Sequence, residues 1–361
     1  MKKSLLALAV LGAFVGAASA QSSVTLFGII DTGVARIENK TGTGVKTTTN
    51  QMLNDGVNTS RLGLRGIEDL GGGLKAGFHL EGGVSPDTGG AGVGNKFWNR
   101  RATVSLLGNF GEVRLGRDYV PTFWNLTTFD PFGYNGVAQI ANVISTLGSG
   151  ASTLVRADNT IGYFLPSGLG GLYGQAMIAA GEGGANATQA NNKYYGGRLG
   201  YAAGPFDVAA AYGQTKIDFP GSAGVVAGDK YKMWNVAGSW NFGVAKAVAQ
   251  WIQGKTSGAT DRKQTIWQIG AVVPLGQGEI HAAYDHANMK GGAGEPAGFR
   301  DADDANQWGI GYVYNLSKRT ALYANYSHLK NKGASNFTVA TPGSAAGGTS
   351  TGVQGGIRHS F

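Results

Sequence analysis

The chain has 361 residues, of which 62 are glycine, 9 are proline and none is cysteine, with a formal net charge of +8. So much glycine suggests low complexity, but 42% hydrophobic and 10% aromatic residues exclude intrinsic disorder. The positive charge is not gathered into a Lys/Arg run or a basic helix, which argues against nucleic-acid binding.

The N-terminal segment has the pattern of a secretory signal peptide. Lys2 and Lys3 precede an apolar run over 5–17, and an A-x-A cleavage site ends at Ala20. The run is shorter than the roughly 20 residues that a retained membrane helix needs. Because the export route is oxidising, the lack of Cys places stability in backbone hydrogen bonds rather than in disulfides. We therefore expect a signal peptide over 1–20 and one barrel domain over 21–361.

After Gln21, segments of about ten residues alternate between apolar and polar side chains, as strands with two different faces do. Short Gly-rich turns fall at 70–73, 108–111, 166–171, 203–205, 242–243, 274–278 and 315–318. Longer polar loops fall near 37–58, 84–95, 120–153, 182–192, 218–229, 255–262, 291–304 and 331–350. These connections predict an all-β fold, an antiparallel transmembrane β-barrel of about sixteen strands.

The strands can be assigned an outer face. The strand over 234–242 carries large apolar side chains on a single side, and the strands that contain Tyr212 and Tyr312 show the same pattern. Rings at both ends of such a face are typical of the two membrane interfaces, although a soluble β-sandwich also alternates. The first of these faces consists of Trp234, Val236, Gly238, Trp240 and Phe242.

The last strand alternates in the same way and ends on an aromatic ring. Val353, Ile357 and Phe361 share one side, with Arg358 and Ser360 on the other. We expect this strand to pair with the first strand and to place Phe361 at the membrane interface.

The strand count favours a channel, since barrels of sixteen to eighteen strands leave an aqueous lumen. An enzyme is disfavoured because the chain has no G-x-S-x-G, no H-E-x-x-H and no Cys. By strand parity His281 and Asp285 point inward and His286 points outward, so they cannot converge on a substrate. No catalytic residue, cofactor or metal is expected.

Strand parity also assigns the charges of the lumen. With the leucines of 62–64 and 74–80 facing lipid, a set of charged side chains turns inward together with His79. Some of them could instead pair with Glu68, Glu81 or Asp158 on neighbouring strands. Arg100 and Arg117 fall on the outward parity, which predicts shielding by a subunit contact or a rim position. The inward set consists of Arg61, Arg65, Lys75, Glu81, Arg101 and Arg156.

Several segments taken together resemble the general porins of β-proteobacteria. They are 23–33 (SVTLFGIIDTG), 60–70 (SRLGLRGIEDL), 111–117 (GEVRLGR), 156–163 (RADNTIGY) and 356–361 (GIRHSF). The resemblance covers essentially the whole mature chain. It implies a trimeric barrel of sixteen strands in the outer membrane, in contact with lipid and lipopolysaccharide. It further implies that the barrel-assembly machinery reads Phe361.

The resemblance also implies an inward-folded third extracellular loop, here 120–153, whose acids face wall arginines across a constriction. Arg61, Arg101 and Arg156 match those wall positions, and Asp130 is the single acid between Tyr119 and Val155. A constriction dominated by arginine favours anions. The expected function is passive diffusion of ions and small hydrophilic solutes with an anion preference. The alternative is a substrate-specific porin for phosphate or organic acids.

Overall fold

The computed structural model describes residues 23–92, 96–181, 193–217, 224–259, 261–340 and 343–361. The predicted signal peptide over 1–20 and the predicted loop over 182–192 lie outside these residues. Within the described ranges, none of the helices has both the length and the apolar character needed to cross a membrane.

The described residues form mainly strands, and their helical turns all lie in the connection between the seventh and eighth strands. That connection holds helix α1, Pro121–Phe129, and two 3-10 turns, Ile140–Val143 and Ser152–Leu154. The first nine strands are β1 Ser23–Lys40, β2 Lys46–Leu53, β3 Arg61–Gly71, β4 Leu74–Ser85, β5 Gly90–Ala91, β6 Arg101–Gly108, β7 Gly111–Tyr119, β8 Arg156–Phe164 and β9 Leu172–Ala179. The others are β10 Lys193–Ala203, β11 Phe206–Lys216, β12 Lys230–Asn241, β13 Lys246–Ser257, β14 Lys263–Leu275, β15 Gly278–Lys290, β16 Ala305–Asn315, β17 Thr320–Asn331 and β18 Thr349–Ser360.

These strands form one closed antiparallel sheet. β1 pairs with β18 from Ile29 opposite Ser360 to Lys40 opposite Thr349. On its other edge β1 pairs first with β3 and then with β2, so those two segments are parts of one barrel strand. β5 pairs only with the end of β4, which leaves sixteen barrel strands. The predicted barrel is confirmed, and a two-sheet sandwich is excluded.

One predicted loop is wrong. Residues 37–58 are not a long loop, because β1 extends to Lys40 and β2 begins at Lys46. A salt bridge of 2.7 Å between Lys46 and Glu38 joins the two strands. Polar side chains on both faces are compatible with a strand that rises beyond the apolar band. The irregular segment is instead 54–60, which separates β2 from β3.

The outer face carries large apolar side chains. Trp234, Trp240 and Trp308 are each nearly half exposed, while their sequence neighbours Met233, Ser239 and Gln307 are buried toward the inside. The alternation matches the predicted parity of these strands. The barrel wall therefore separates an apolar outer surface from a polar interior.

The C-terminal residue extends the closure of the barrel by one pair. The Phe361 N–H donates to the Gly28 carbonyl at 3.0 Å, and the Gly28 N–H donates to the Phe361 carbonyl at 3.1 Å. A Cβ added at Gly28 would lie 2.3 Å from the Phe361 ring, so the ring occupies the space that glycine leaves free.

We expect deletion of Phe361 to lower the yield of folded barrel. The deletion removes two backbone hydrogen bonds of the closure, about 0.5–1.5 kcal/mol each, together with the ring that covers Gly28. The measurement is the fraction of heat-modifiable barrel on electrophoresis, with Phe361→Tyr as the control that keeps the ring. An undiminished folded fraction in the deletion would show that closure does not need this residue.

Candidate channel constriction

The segment between β7 and β8, residues 120–155, lies against the inner face of the barrel. Pro121 occupies the first turn of α1, where its missing N–H costs no helical hydrogen bond. At the end of the helix Phe129 is fully buried against Ala209 and Ala237. Two alanines on the inward face of β11 and β12 leave room for this ring.

Side-chain amides on the wall hold the backbone of this segment. Gln264 donates to the Val143 carbonyl and accepts from the Ser145 N–H, both at 2.8 Å. Asn235 donates to the Thr122 carbonyl at 2.9 Å. Because an amide carries both donors and acceptors, it can satisfy backbone groups that have no strand partner.

Asp130 has a different role from the one predicted. Its carboxylate is buried and accepts the N–H groups of Phe132, Tyr134 and Ile140 at 2.9–3.3 Å, and the Gln268 amide at 3.3 Å. Burial raises the pKa of Asp130, and the N–H donors oppose that rise. The prediction that Asp130 faces the wall arginines is wrong, because the turn of its own loop encloses the carboxylate. The Asp-Pro order ahead of Gly133 was the sequence signal for such a turn.

A second segment, 54–60, is held inside the barrel by a group that the sequence analysis missed. Asp31 on β1 is fully buried, and it accepts the N–H groups of Gly56, Val57 and Asn58 at 2.8–3.1 Å. The Tyr323 hydroxyl also donates to it at 2.7 Å. A lone acid in the otherwise apolar and Gly-rich start of β1 was the available signal.

The two inserted segments and the wall of β3, β4, β6, β7 and β8 enclose a cavity of about 870 Å³. We call it the constriction cavity. Its charged lining consists of Arg61, Arg100, Arg101, Arg117 and Arg156 with His79, Glu81 and Asp55. Its aromatic lining consists of Tyr119, Phe123, Trp124 and Tyr134.

Glu81 is the centre of the first group of charges. Its carboxylate lies 2.5 Å from Arg100 Nε and 3.6 Å from Arg61 Nη1, with His79 Nε2 at 3.4 Å from its other oxygen. One buried carboxylate therefore faces two guanidinium groups. The excess of positive charge remains available to the cavity.

The remaining predicted arginines have separate partners. Arg101 Nε lies 3.4 Å from Asp118, which also binds Arg114 at 2.6 Å. Arg156 donates to the Tyr119 hydroxyl at 2.9 Å and stacks over that ring at 4.4 Å. Among the ion pairs of the described residues, Arg156 has no carboxylate partner.

Arg100 and Arg117 do not face outward, which corrects their predicted placement. Arg100 precedes β6 and turns in to Glu81. Arg117 donates to Asp158 at 2.7 Å and to the Asn99 carbonyl at 2.8 Å. A bulge between Gly116 and Asp118 breaks the alternation of β7, so simple parity failed there.

Two predicted residues lie away from the constriction cavity. Arg65 lines a second cavity of about 270 Å³ and stacks on Phe27 at 5.2 Å. Lys75 is exposed beside the turn at 71–73, six residues from Glu81 and thus about 20 Å away along β4. Parity gives the face of a strand but not the height along it. His281 and His286 diverge as expected, toward Pro131 inside and Asn306 in the wall.

A closed sixteen-stranded barrel with a charged interior and an apolar exterior has the architecture of an outer-membrane channel. The family model for Gram-negative porins matches residues 7–334. The chain belongs to the Gram-negative porin family. Outer membrane porin protein 32 of Delftia acidovorans is 43% identical over the whole of both chains, and an outer membrane porin of Bordetella pertussis is 31% identical over the whole of both.

Solved structures agree with the assignment. The structure of an anion-selective porin from Comamonas acidovorans is 39% identical, with a TM-score of 0.81 over 94% of this chain and all of that chain. OmpT of Vibrio cholerae, at 14% identity and a TM-score of 0.71 over 95% of this chain, shares the fold. This porin is thus an outer-membrane protein that forms a diffusion channel, and its relatives are channels rather than enzymes.

We expect Asp130→Asn to loosen the 120–155 segment. The substitution replaces an acceptor oxygen by a donor, and each buried N–H that loses its acceptor costs about 1–3 kcal/mol. Single-channel recordings should show higher conductance or larger open-channel noise. Asp261→Asn is the matched control, because Asp261 is 73% exposed in its side chain on an outer turn. Identical traces for Asp130→Asn and the parent would exclude a role for this carboxylate in holding the segment.

Proposed function

We propose that this porin is a passive channel with an anion preference set in the constriction cavity. The observation that carries the proposal is the lining itself, in which five arginines face Glu81 and Asp55. Two of them, Arg101 and Arg117, also pair with Asp118 and Asp158 outside the lining, which leaves Arg61, Arg100 and Arg156 as the main source of positive charge. A basic ring in a narrow, water-filled passage attracts anions and repels cations. The likeness to the anion-selective porin of Comamonas acidovorans, at 39% identity, supports the same assignment.

The two acids weaken this field only in part. Glu81 is already shared between Arg61 and Arg100. Burial and the neighbouring Asp31 carboxylate raise the pKa of Asp55 to about 7, so near neutral pH it carries only part of a charge. Arg156 has a tyrosine rather than a carboxylate as its partner.

We propose that the 120–155 segment narrows the passage. Its contacts with β9 to β13 and with β15 and β16 support a position across from the arginine wall of β3, β4 and β6. The segment 54–60 would form the second boundary, since both segments line the same cavity. The passage would then be set by two inserted elements rather than by one loop.

We propose that the chain is exported with cleavage after Ala20, inserted with the help of the barrel-assembly machinery, and assembled as a homotrimer among lipid and lipopolysaccharide. The outer surface supports an oligomer. The five exposed tryptophans of the described residues lie on β12, β13, β14 and β16, where rings suit a lipid interface. The opposite side carries aliphatic residues such as Val34, Leu62, Val104 and Leu115 and, among the described residues, no exposed tryptophan, which suits a subunit contact.

A substrate-specific channel is the second candidate. The constriction cavity favours it, because a space of about 870 Å³ with charged and aromatic walls is within the size range of small-molecule sites.

Removal of two cavity charges should reduce the anion preference. Each charge is worth about 1 to 4 kcal/mol to an ion at 4 Å for an effective dielectric of 80 to 20. We expect Arg61→Gln with Arg156→Gln to lower the chloride-to-potassium permeability ratio by about an order of magnitude at 0.1 M salt. The measurement is the reversal potential in planar bilayers under a KCl gradient.

The matched control removes two charges from an exposed turn, as Lys318→Gln with Arg319→Gln. It should leave the reversal potential close to that of the parent. Selectivity of the parent should also decline toward 1 M salt, where the Debye length is about 3 Å. A parent channel that prefers potassium, or a cavity variant with the parent's reversal potential, would refute the arginine assignment.

The pH dependence of the anion preference should follow the protonation of Asp55. A carboxyl group with a pKa of about 7 is neutral below that pH and negative above it, so the anion preference should strengthen as the pH falls from 8 to 6. Asp55→Asn removes this contribution. If Asp55→Asn and the parent showed the same pH response, Asp55 would not be its cause.

A further inference from the structure

The aromatic side chains of the constriction cavity form one connected group. Tyr119 stacks on Phe123 with ring centroids 5.2 Å apart and an interplanar angle of 13°, and Trp124 lies 5.3 Å from Tyr119. Tyr134 meets Phe123 edge-on at 5.0 Å. Tyr119 and Phe123 are buried, whereas Trp124 and Tyr134 are partly exposed. Aromatic surface therefore faces the passage where solutes cross.

The aromatic group and the positive charge meet at Tyr119. Arg156 stacks over this ring at 4.4 Å, and Arg100 lies 6.0 Å from the ring centroid. Trp124 contacts the same ring. The cavity is thus lined by an aromatic ring and a guanidinium group that both contact Tyr119.

Two buried N–H donors in this group have no hydrogen-bond partner among the described residues. They are Trp124 Nε1 and Arg156 Nε. Unpaired buried donors are rare in folded proteins, because such a group loses its hydrogen bond to water without replacement. Both atoms are closed to solvent, so these unmet hydrogen bonds belong to the packing of the group and not to the surface that a solute meets.

A chloride-selective passage needs none of the aromatic surface. Small inorganic anions interact with guanidinium charge and not with rings, whose faces carry negative partial charge. A planar aromatic anion can use both features, since its carboxylate pairs with arginine while its ring packs edge-on or offset against tryptophan or tyrosine.

We propose that the constriction cavity is a binding site for small aromatic carboxylates, with Arg156 for the carboxylate and Trp124 for the ring. The proposal rests on the proposed anion-preferring channel and deepens it by naming the solute class. The cavity has room for a one-ring acid without change to the barrel, given its volume of about 870 Å³.

The test compares benzoate with cyclohexanecarboxylate, which has the same charge and nearly the same size but no aromatic face. The full porin is recorded in planar bilayers at pH 7.5, and each sodium salt is titrated against the chloride current. We expect benzoate to halve the current at a concentration three to ten times lower than cyclohexanecarboxylate, as a favourable aromatic contact would give.

Trp124→Leu should bring the ratio of the two inhibitory concentrations close to one, while Trp124→Phe should keep most of the difference. The second variant retains a ring and guards against a simple collapse of the loop. Trp240→Leu is the matched control, because Trp240 is exposed on the outer face of β12. Its ratio should equal that of the parent.

Equal inhibition by the two acids in the parent, or an unchanged ratio in Trp124→Leu, would overturn the aromatic site. The reversal potential in KCl alone separates this failure from failure of the channel assignment. A parent that prefers chloride but treats both acids alike loses only the aromatic proposal. A parent without chloride preference loses the anion channel itself.

Discussion

The pairing of β1 with β18 is the constraint on which the rest of the structure depends. In hydrocarbon no water can satisfy a free strand edge, so a sheet is tolerated only when every backbone N–H and C=O finds a partner within the protein. Twelve residue pairs from Ile29–Ser360 to Lys40–Thr349, extended by the reciprocal bonds of Gly28 and Phe361, close the sheet. Closure gives the wall two faces in different environments, and the alternation of apolar and polar residues follows from it.

Inside this wall, the backbone of the inserted segments meets the same requirement by other means. The segments 54–60 and 120–155 lie outside the strands of the sheet, and buried side chains bind much of their backbone. Asp31 holds three consecutive N–H groups, Asp130 holds three N–H groups of its own loop, and the wall amides take carbonyl and N–H groups alike. Asp130, which the sequence assigned to the passage, and Asp31 thus shape the passage by binding backbone.

The charge of the passage follows from that use of acids. With Asp31 and Asp130 enclosed by donors, the acids that line the constriction cavity are Glu81 and Asp55, against five arginines, of which Arg101 and Arg117 also pair with Asp118 and Asp158 outside the lining. The arginine excess therefore does not arise from arginine content alone, since the acids are placed elsewhere. The aromatic group around Tyr119 lines the same cavity. The constriction cavity therefore combines an aromatic surface with positive charge, which a channel lined by charged residues alone would lack.

The sequence by itself determined the barrel, its strand count, its outward face and the family, because period-two alternation and turn residues are local signals and closure leaves few alternatives. It also placed Arg61, Glu81, Arg101 and Arg156 on the inner face, where the structure has them lining one cavity. Tertiary structure alone decided the height of Lys75 along β4, the inward turn of Arg100 and Arg117, and the enclosure of Asp130. Height depends on the stagger between strands, the two arginines on a bulge and a preceding loop, and Asp130 on contacts with Gln268 far along the chain. None of these is encoded in the alternation of a single strand, and each depends on which distant groups the closed barrel brings together.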